Sequence, residues 1–199
     1  MENKLSDIKV IIGLGNPGFA YKNTYHNVGK LMVDYLSEVF GSKNSGRGVG
    51  FRKKTPSDLF ESRQVNDIVL IKPLNYMNEN GKAARLALKS FGTKANLFLV
   101  IHDDSDLEIG KYKISFGRGS AGHNGVKSVI ENIGSEDFWR LRIGVRKSGA
   151  AEVGRANPSS LKLRRARAGE FVLKKITEAD KKTMAFAFKK SGGEIFGRN

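Results

Sequence analysis

The feature that most constrains the fold is a glycine-rich connection between an apolar run and an amphipathic segment near the start of the chain. The apolar run predicts a buried strand over residues 8–14, and apolar side chains at helical spacing predict a helix over residues 27–40. The connection reads GLGNPGFAYKNTYHNVG and spans residues 13–29. This arrangement places His26 at the first turn of the helix and at the rim of a sheet.

The rest of the chain alternates between strand and helix signals. It predicts an α/β fold: a single domain with a twisted, mixed, mostly parallel β-sheet and helices on both faces. A hairpin joined near Asn66 provides the antiparallel part at one edge. The predicted strands are residues 59–65, 67–72, 97–101, 111–116 and 139–145, and the further helices are 78–91, 124–133 and one after Thr177. We expect one domain over residues 1–199, with a basic variable segment at about residues 148–169.

The charge of the chain indicates a polyanionic partner. The formal net charge of +15 exceeds the roughly 2–8 charges that keep a small domain soluble. We therefore expect nucleic acid as the partner, with an anionic membrane as the second choice. From Arg140 to Lys175 only Glu152 and Glu170 oppose many cationic side chains, although a solvated basic loop is the alternative for this segment. No apolar run approaches the roughly 20 residues that span a bilayer.

Four polar or glycine-rich stretches follow predicted strands. They span residues 13–29, 73–78, 102–106 and 117–125. Ligands bind beyond the carboxyl ends of strands in open α/β sheets. Strands that run in the same direction would therefore bring these stretches to one site.

His26 is the candidate general base of that site. The N-terminus of a helix disfavours the protonated imidazole, which predicts a neutral ring near pH 7. A carboxylate on the other ring nitrogen would fix the tautomer and stabilise the charge that develops in the reaction. Asp103, at the end of a predicted strand, is the candidate for this carboxylate. Asp104 and Asp106 are the alternatives, more typical of loop or capping residues.

Three asparagines supply neutral amide groups to the same region, and they are Asn16, Asn78 and Asn124. Pro17 favours an extended backbone at Asn16, which would direct the Asn16 side chain into the site. Such amides orient peptide groups or stabilise an oxyanion. The alternative interpretation of Asn78 and Asn124 is helix capping.

Other chemistries have less support in the sequence. Residues 13–18 match G-x-G-x-x-G, but the helix begins too late for a dinucleotide motif, and Pro17 lacks the N–H that a phosphate needs. A metal site is the competing interpretation of the three histidines, which are His26, His102 and His123. No close ligand pair such as H-E-x-x-H occurs, and there is no cysteine or G-x-S-x-G elbow for covalent catalysis. We expect water as the nucleophile, with no metal and no cofactor.

Taken together, these motifs resemble the bacterial-type peptidyl-tRNA hydrolase family. The matching stretches are GLGNPGFAYKNTYHNVG, KPLNYMNENGKA, HDDSDLEIGKYK, AGHNGVKSVIENIG and FWRLRIGVRK, and FVLKKITEADKKTM resembles the family's C-terminal part. They cover most of the chain from about Lys9 to Lys147. The family cleaves the ester between a peptide and the terminal ribose of tRNA without a metal, a cofactor or a covalent intermediate.

The resemblance implies a role for each matched residue. It makes His26 the base that activates water and Asp103 the group that holds His26. It makes Asn16 the residue that distinguishes blocked, peptide-like substrates from free aminoacyl-tRNA, and Arg142 a phosphate contact. The residues that it implies for binding the peptide and the tRNA 3′ end, or for lining the cleft, are Tyr21, Tyr76, Met77, Asn78, His123 and Asn124.

The chain also departs from the family pattern. Tyr25 stands where arginine is usual, and Arg118, Ser120 and Ala121 interrupt a loop that is normally richer in glycine. Ser115 replaces a basic phosphate contact, with Lys113 and Arg118 as the candidates to substitute for it.

We therefore expect an enzyme that hydrolyses peptidyl-tRNA and so recycles tRNA during translation. The alternative is a non-catalytic RNA-binding protein on the same fold, which the altered glycine loop and the basic segment favour and which His26 and Asp103 oppose. The expected partner is tRNA, with no DNA and no membrane. We expect a monomer in the cytoplasm, with an organelle as the alternative location.

Overall fold

Six strands form one mixed sheet in the computed structural model, which describes residues 4–41, 50–53, 59–147 and 169–197. The strands are β1 (Val10–Gly13), β2 (Phe60–Val65), β3 (Ile68–Pro73), β4 (Phe98–Glu108), β5 (Tyr112–Phe116) and β6 (Trp139–Arg146). Their order across the sheet is β2-β3-β1-β4-β6-β5. The central strands β3, β1, β4 and β6 are parallel, whereas each edge strand is antiparallel to its neighbour. The predicted mixed, mostly parallel sheet is therefore confirmed.

Helices pack on both faces of this sheet, as predicted. They are α1 (Val28–Phe40), α2 (Asn80–Ser90), α3 (Asn124–Ile133) and α4 (Glu178–Phe196). One hydrophobic cluster joins the sheet to α1 and α4, and a second joins the opposite face to α2 and α3. Burial on both faces explains why β1 and the first half of β4 are apolar at nearly every position.

Two glycines allow α1 to lie directly against the sheet. A Cβ atom on Gly13 would lie 2.2 Å from the carbonyl oxygen of Gly29, and a Cβ atom on Gly29 would lie 2.4 Å from the carbonyl oxygen of Ile101. Short 3₁₀ turns at Phe19–Tyr21 and Tyr25–Asn27 fill the connection between β1 and α1. The glycine motif therefore serves close packing, and the helix opens well after it.

The strand that carries Asp103 is longer than predicted. The sequence predicted a strand over residues 97–101 that ends before the acidic residues. Instead β4 continues through them, pairing with β6 as far as Asp104 and again at Glu108 after a register shift. The prediction of Asp104 as a loop residue is therefore wrong, because β6 offers backbone hydrogen bonds to this polar half of β4.

The direction of β5 corrects a second prediction. Phe116, the last residue of β5, pairs with Trp139 at the start of β6, whereas Asp103 pairs with Ile143 further along β6. The stretch 117–125 therefore does not reach the site by following a strand that points there. The stretch starts at the end of the sheet away from the site and returns to it, and α3 then begins beside Asp103.

Residues 169–176 attach α4 to the loop before α1. The backbone N–H of Tyr25 donates to the carbonyl oxygen of Lys174. The Tyr25 ring stacks on Phe171, and its hydroxyl donates to Asp180 in α4. Tyr25, which the sequence identified as a departure from arginine, thus joins α4 to the body of the domain.

The basic segment at about residues 148–169 lies outside the described residues, apart from Gly169 at its end. The single domain over residues 1–199 consequently stays a prediction for that segment. In the part of the chain that the structure describes, no helix combines the length and apolar character needed to cross a membrane.

Candidate active site

The His26 ring and the Asp103 carboxylate form a hydrogen bond at the carboxyl end of the central strands. Nδ1 of His26 lies 2.8 Å from Oδ1 of Asp103. His26 comes from the 3₁₀ turn before α1, and Asp103 comes from β4, the neighbour of β1. A carboxylate only accepts, so Nδ1 donates its proton and Nε2 carries the lone pair. The sequence predicted this pairing.

A second imidazole, His123, binds the same carboxylate oxygen. Its Nε2 lies 2.9 Å from Oδ1 of Asp103. Its Nδ1 accepts the backbone N–H groups of Gly125 and Val126 and so caps α3. A ring nitrogen that accepts carries no proton, so neutral His123 bears its proton on Nε2 and donates it to Asp103. The sequence predicted only that His123 lines the cleft.

The hydrogen-bonded cluster shifts the pKa values of Asp103 and His26. Burial alone raises the pKa of Asp103, but the His123 and His26 rings outweigh burial and hold this pKa well below its usual range. Burial alone lowers the pKa of His26, but the charge of Asp103 and the hydrogen bond to it raise the net value above the ordinary one. The sequence predicted the opposite direction for His26 from the helix N-terminus. The adjacent carboxylate dominates because it carries a full charge at hydrogen-bond distance.

The same three side chains are close enough to be weighed as a metal site. Their candidate ligand atoms lie within 4.8 Å of one another. Metal ligation needs a lone pair on each nitrogen at roughly 2 Å from the ion. Nε2 of His123 instead carries a proton, because Nδ1 is occupied as the cap of α3. The donor set therefore fits a hydrogen-bonded cluster better than a metal site.

Asn16 is held by hydrogen bonds at its backbone and at its side-chain oxygen. Its Oδ1 accepts the N–H of Met77 at 2.8 Å. Its backbone N–H donates to Oδ1 of Asn27, and its carbonyl oxygen accepts from Nδ2 of Asn27. Among the described residues, the Asn16 amide NH₂ has no hydrogen-bond partner, and Asn16 lines the cleft. The free part of the side chain is therefore a donor.

A cleft of about 530 Å³ opens over His26. The predicted site residues that line it are Asn16, Tyr21, His26, Met77, Asn78, Asp103, His123, Asn124 and Arg142. The remaining predicted residue, Tyr76, packs edge-to-face on Tyr21 with ring centroids 6.3 Å apart and extends the wall of the cleft. Stretches that are distant in sequence thus meet around one imidazole.

Asn78 and Asn124 do not cap helices. Asn78 lies within a 3₁₀ turn, Met77–Glu79, and Asn124 is the first residue of α3, whose cap is His123. Both side chains are exposed at the cleft. The capping interpretation of these two asparagines is therefore wrong.

Asn80 is a buried residue that the sequence analysis did not single out. Its Oδ1 accepts the N–H of Gly15, and its Nδ2 donates to the carbonyl oxygen of Tyr76. Asn80 thus ties the loop after β1 to the loop after β3. Its position in a run of three polar residues gave no periodic signal that distinguished it from Asn78.

Two arginines of β6 border the cleft on one face of the sheet. Nε of Arg142 lies 2.5 Å from Oδ2 of Asp104. Arg140 is almost fully buried, and its Nε has no hydrogen-bond partner among the described residues. In the sheet register Ser115 pairs with Arg140, and Lys113 pairs with Arg142. The sequence counted Arg140 only among the basic residues, although its i, i+2 spacing from Arg142 on a strand places both on one face.

His102 is the third histidine of the cleft and does not bind the carboxylate of Asp103. Its Nδ1 lies 2.7 Å from the backbone carbonyl oxygen of Asp103 and therefore donates to it. Burial, together with the neighbouring His123 ring, lowers the pKa of His102 well below its usual value. His102 is therefore a neutral ring beside the cluster.

Comparison with known proteins adds sequence relatives to this geometry. A family model described as peptidyl-tRNA hydrolase matches residues 10–193. A peptidyl-tRNA hydrolase from Lawsonia intracellularis is 43% identical over 141 residues, which cover 70% of this chain and 67% of the relative. One from Mycobacterium leprae is 34% identical over 174 residues, covering 87% and 78% of the two chains.

Solved structures agree with the sequence relatives. The crystal structure of peptidyl-tRNA hydrolase from Acinetobacter baumannii aligns with 98% of this chain and 90% of its own, with a TM-score of 0.76 and 26% identity. The Arg119Gln mutant of peptidyl-tRNA hydrolase from the same organism aligns with a TM-score of 0.76 and 28% identity, covering 98% and 89% of the two chains.

Proposed function

The chain belongs to the peptidyl-tRNA hydrolase family, and we propose that it hydrolyses the ester of peptidyl-tRNA with a water molecule that His26 activates. It is an enzyme of translation whose substrate is a tRNA ester. One observation supports the mechanism. Oδ1 of Asp103 accepts a hydrogen bond from Nδ1 of His26, which leaves the lone pair on Nε2 of His26 beside the cleft.

His26 acts first as a base and then as an acid. Nε2 takes a proton from water while the water oxygen attacks the ester carbonyl carbon, and Asp103 stabilises the imidazolium that forms. The tetrahedral intermediate then collapses by breaking the bond to the ribose oxygen. The imidazolium returns its proton to that oxygen, so the products are a free peptide acid and tRNA. A positioned base of this kind contributes about 10²–10⁴-fold to the rate.

Asn16 recognises the peptide part of the substrate. Its Oδ1 is occupied by Met77, so its free NH₂ donates to a carbonyl oxygen of an N-blocked substrate. A free aminoacyl-tRNA has no acyl carbonyl on its amino group and leaves this donor without a partner. A buried polar group that a substrate leaves without a hydrogen-bond partner strongly disfavours that substrate.

The remaining cleft residues bind the peptide and the tRNA end. Tyr21 and Tyr76 supply aromatic faces, and Asn78 and Asn124 supply amides. The wall formed by β6 holds phosphate. Arg142 shares its charge with Asp104, whereas no carboxylate of a described residue lies within ion-pair distance of Arg140. Arg140 is therefore a phosphate contact in addition to Arg142.

We also propose that the enzyme acts as a monomer in the cytoplasm or in an organelle that carries out translation. The described residues of one chain already supply His26, its carboxylate partner and the cleft, so the site needs no second copy to complete it. Peptidyl-tRNA arises wherever ribosomes work, which supports the location. Light scattering on the purified protein should give the mass of a single chain.

The experiment that tests the proposed function is hydrolysis of N-acetyl-aminoacyl-tRNA at saturating substrate. We expect the wild-type protein to release the acetylated amino acid, and we expect His26→Ala to lower kcat by at least about 10²-fold. Lys127→Ala, on the exposed face of α3, is the control and should retain full activity. Full activity in His26→Ala would refute the assignment of the base. Tight tRNA binding by wild-type protein without any hydrolysis would favour a non-catalytic RNA-binding protein.

A further inference from the structure

Lys30 reaches Asn16 from the side opposite to the substrate. It lies in the first turn of α1, and its Nζ donates to the carbonyl oxygen of Asn16 at 3.0 Å. Asn27 binds the N–H and the carbonyl oxygen of the same residue at 2.8 and 2.9 Å. The Asn16 backbone is therefore held by three hydrogen bonds while its NH₂ group faces the cleft.

A cation at this position is electrostatically costly. The N-terminus of a helix carries partial positive charge, so a lysine in the first turn of α1 is disfavoured there. No carboxylate of a described residue forms an ion pair with Lys30; Lys72 of β3 takes Asp34 instead, at 2.9 Å. Burial and the charge of Lys72 lower the pKa of Lys30 to about 8, against smaller opposing effects of Glu61 and Asp34. The hydrogen bond to Asn16 persists despite these costs.

A second cavity of about 400 Å³ lies behind Asn16. Asn16 borders both this cavity and the catalytic cleft, and it is the only described residue that borders both. The charged side chains that border the second cavity are Lys22, Lys30, Asp34, Glu61 and Lys72. Solvent in this cavity can exchange protons with Lys30 without entering the catalytic cleft.

We propose that Lys30 is a positioning residue, whose ammonium fixes the Asn16 carbonyl and thereby aims the Asn16 NH₂ at the substrate. The proposal rests on the proposed role of Asn16 in binding the blocked substrate. A hydrogen bond from a charged donor is roughly twice as strong as one from a neutral donor. Loss of the Lys30 proton therefore loosens Asn16, which weakens substrate binding while the His26 cluster stays intact.

The pH dependence of KM follows from this coupling. Lys30 is charged below its pKa and neutral above it. KM of the wild-type enzyme for N-acetyl-aminoacyl-tRNA should therefore rise about threefold to tenfold between pH 7 and pH 9, a change separate from the rise in kcat that accompanies deprotonation of His26. Lys30→Met should show the raised KM already at pH 7 and no further rise.

The test compares variants that remove one positive charge each. Lys22→Met removes a charge from the same cavity without touching Asn16, so its KM at pH 7 should stay within about twofold of wild type in 0.2 M salt. Lys30→Arg keeps the charge at every pH and should hold KM low to pH 9. Lys72→Met removes the repulsion on Lys30, so the rise in KM should move to higher pH. Because Lys72→Met retains Lys30, it tests the role of Lys30 even if Lys30→Met does not fold.

The outcomes separate this proposal from the one on which it depends. Asn16→Ala should raise the KM for the blocked substrate. If Asn16→Ala leaves KM unchanged, the proposed role of Asn16 fails and the role of Lys30 fails with it. If Asn16→Ala raises KM but Lys30→Met equals Lys22→Met, or if Lys72→Met leaves the pH profile in place, only the role of Lys30 is overturned.

Discussion

Asp103 brings together two imidazole rings that lie far apart in the chain. One carboxylate oxygen, Oδ1 of Asp103, accepts hydrogen bonds from both His26 and His123. The two donors have separate anchors, because His26 sits in the turn before α1 whereas His123 caps α3. Each ring thus limits the movement of the carboxylate that orients the other.

His123 therefore has two functions that substitution can separate. His123→Ala removes the donor to Asp103 and the cap of α3, so kcat should fall about tenfold and the free energy of unfolding by about 1 kcal/mol. His123→Asn restores a good helix cap on a shorter side chain, so stability should recover while kcat stays low. Kinetics and thermal unfolding of both variants provide the measurement. Recovery of kcat together with stability in His123→Asn would show that capping alone matters.

The sequence predicted that His26, Asp103 and Asn16 lie together, and the structure brings them to one cleft. The prediction was possible because histidine, aspartate and asparagine are recognisable residue types at strand ends. The second bond to Asp103 was missed, because a sequence does not show which loop returns to a given strand. The burial of Asn80 and Arg140 was missed for the same reason, since it depends on neighbours from other parts of the chain.

At the scale of elements, α1 positions His26 because the helix lies directly against β1 and β4. Gly29→Ala should disturb this packing, since the new Cβ would lie 2.4 Å from the carbonyl oxygen of Ile101. We expect a loss of about 1–3 kcal/mol in the free energy of unfolding and a lower kcat as His26 shifts. Gly50→Ala is the control, because no atom of a described residue lies within 4 Å of its added Cβ. Equal stability of the two variants, measured by denaturant unfolding, would contradict the packing role of Gly29.

The attachment of α4 gives a second prediction for the elements. Tyr25→Phe removes the hydroxyl that donates to Asp180. Burial of Tyr25 and the hydrogen bond to Asp180 raise the pKa of this hydroxyl to about 12. We expect a loss of about 1–2 kcal/mol in unfolding free energy with kcat within twofold of wild type. Tyr112→Phe removes a more exposed hydroxyl bound to Glu194 and should cost less. A large loss of kcat in Tyr25→Phe would mean that this hydroxyl serves the cleft.

The sequence predicted whether a segment is a strand or a helix better than it predicted the length of β4 or the direction of β5. Strict apolar runs identified β1 and β4, and the Asn66 turn identified the hairpin of β2 and β3. The polar half of β4 carries no apolar pattern, because its strand conformation comes from pairing with β6. The antiparallel direction of β5 is also set by pairing, and alternation of side chains reads the same in both directions.

At the scale of the whole molecule, the net charge of +15 should control tRNA binding. Association with a polyanion releases counterions, so KM for N-acetyl-aminoacyl-tRNA should rise about tenfold or more between 50 and 200 mM salt. kcat should change less than about twofold, because the side chains of His26, Asp103 and His123 are at most 16% exposed. N-acetyl-aminoacyl-adenosine, which has no tRNA backbone, serves as the comparison substrate. An equal effect of salt on both substrates would exclude an electrostatic role for the tRNA backbone.

The pH profile of kcat at saturating substrate for wild-type enzyme and Asp103→Asn measures the coupling of His26 to Asp103 most directly. His26 acts as a base only when unprotonated, so activity should rise with pH through the His26 pKa, which Asp103 holds above its ordinary value. Asparagine removes this charge and leaves burial, which lowers the pKa. The rising limb should therefore move to lower pH, while the plateau falls by about 10²–10⁴-fold. A limb that stays in place, or a plateau that stays at the wild-type level, would contradict catalysis by a His26 base held by Asp103.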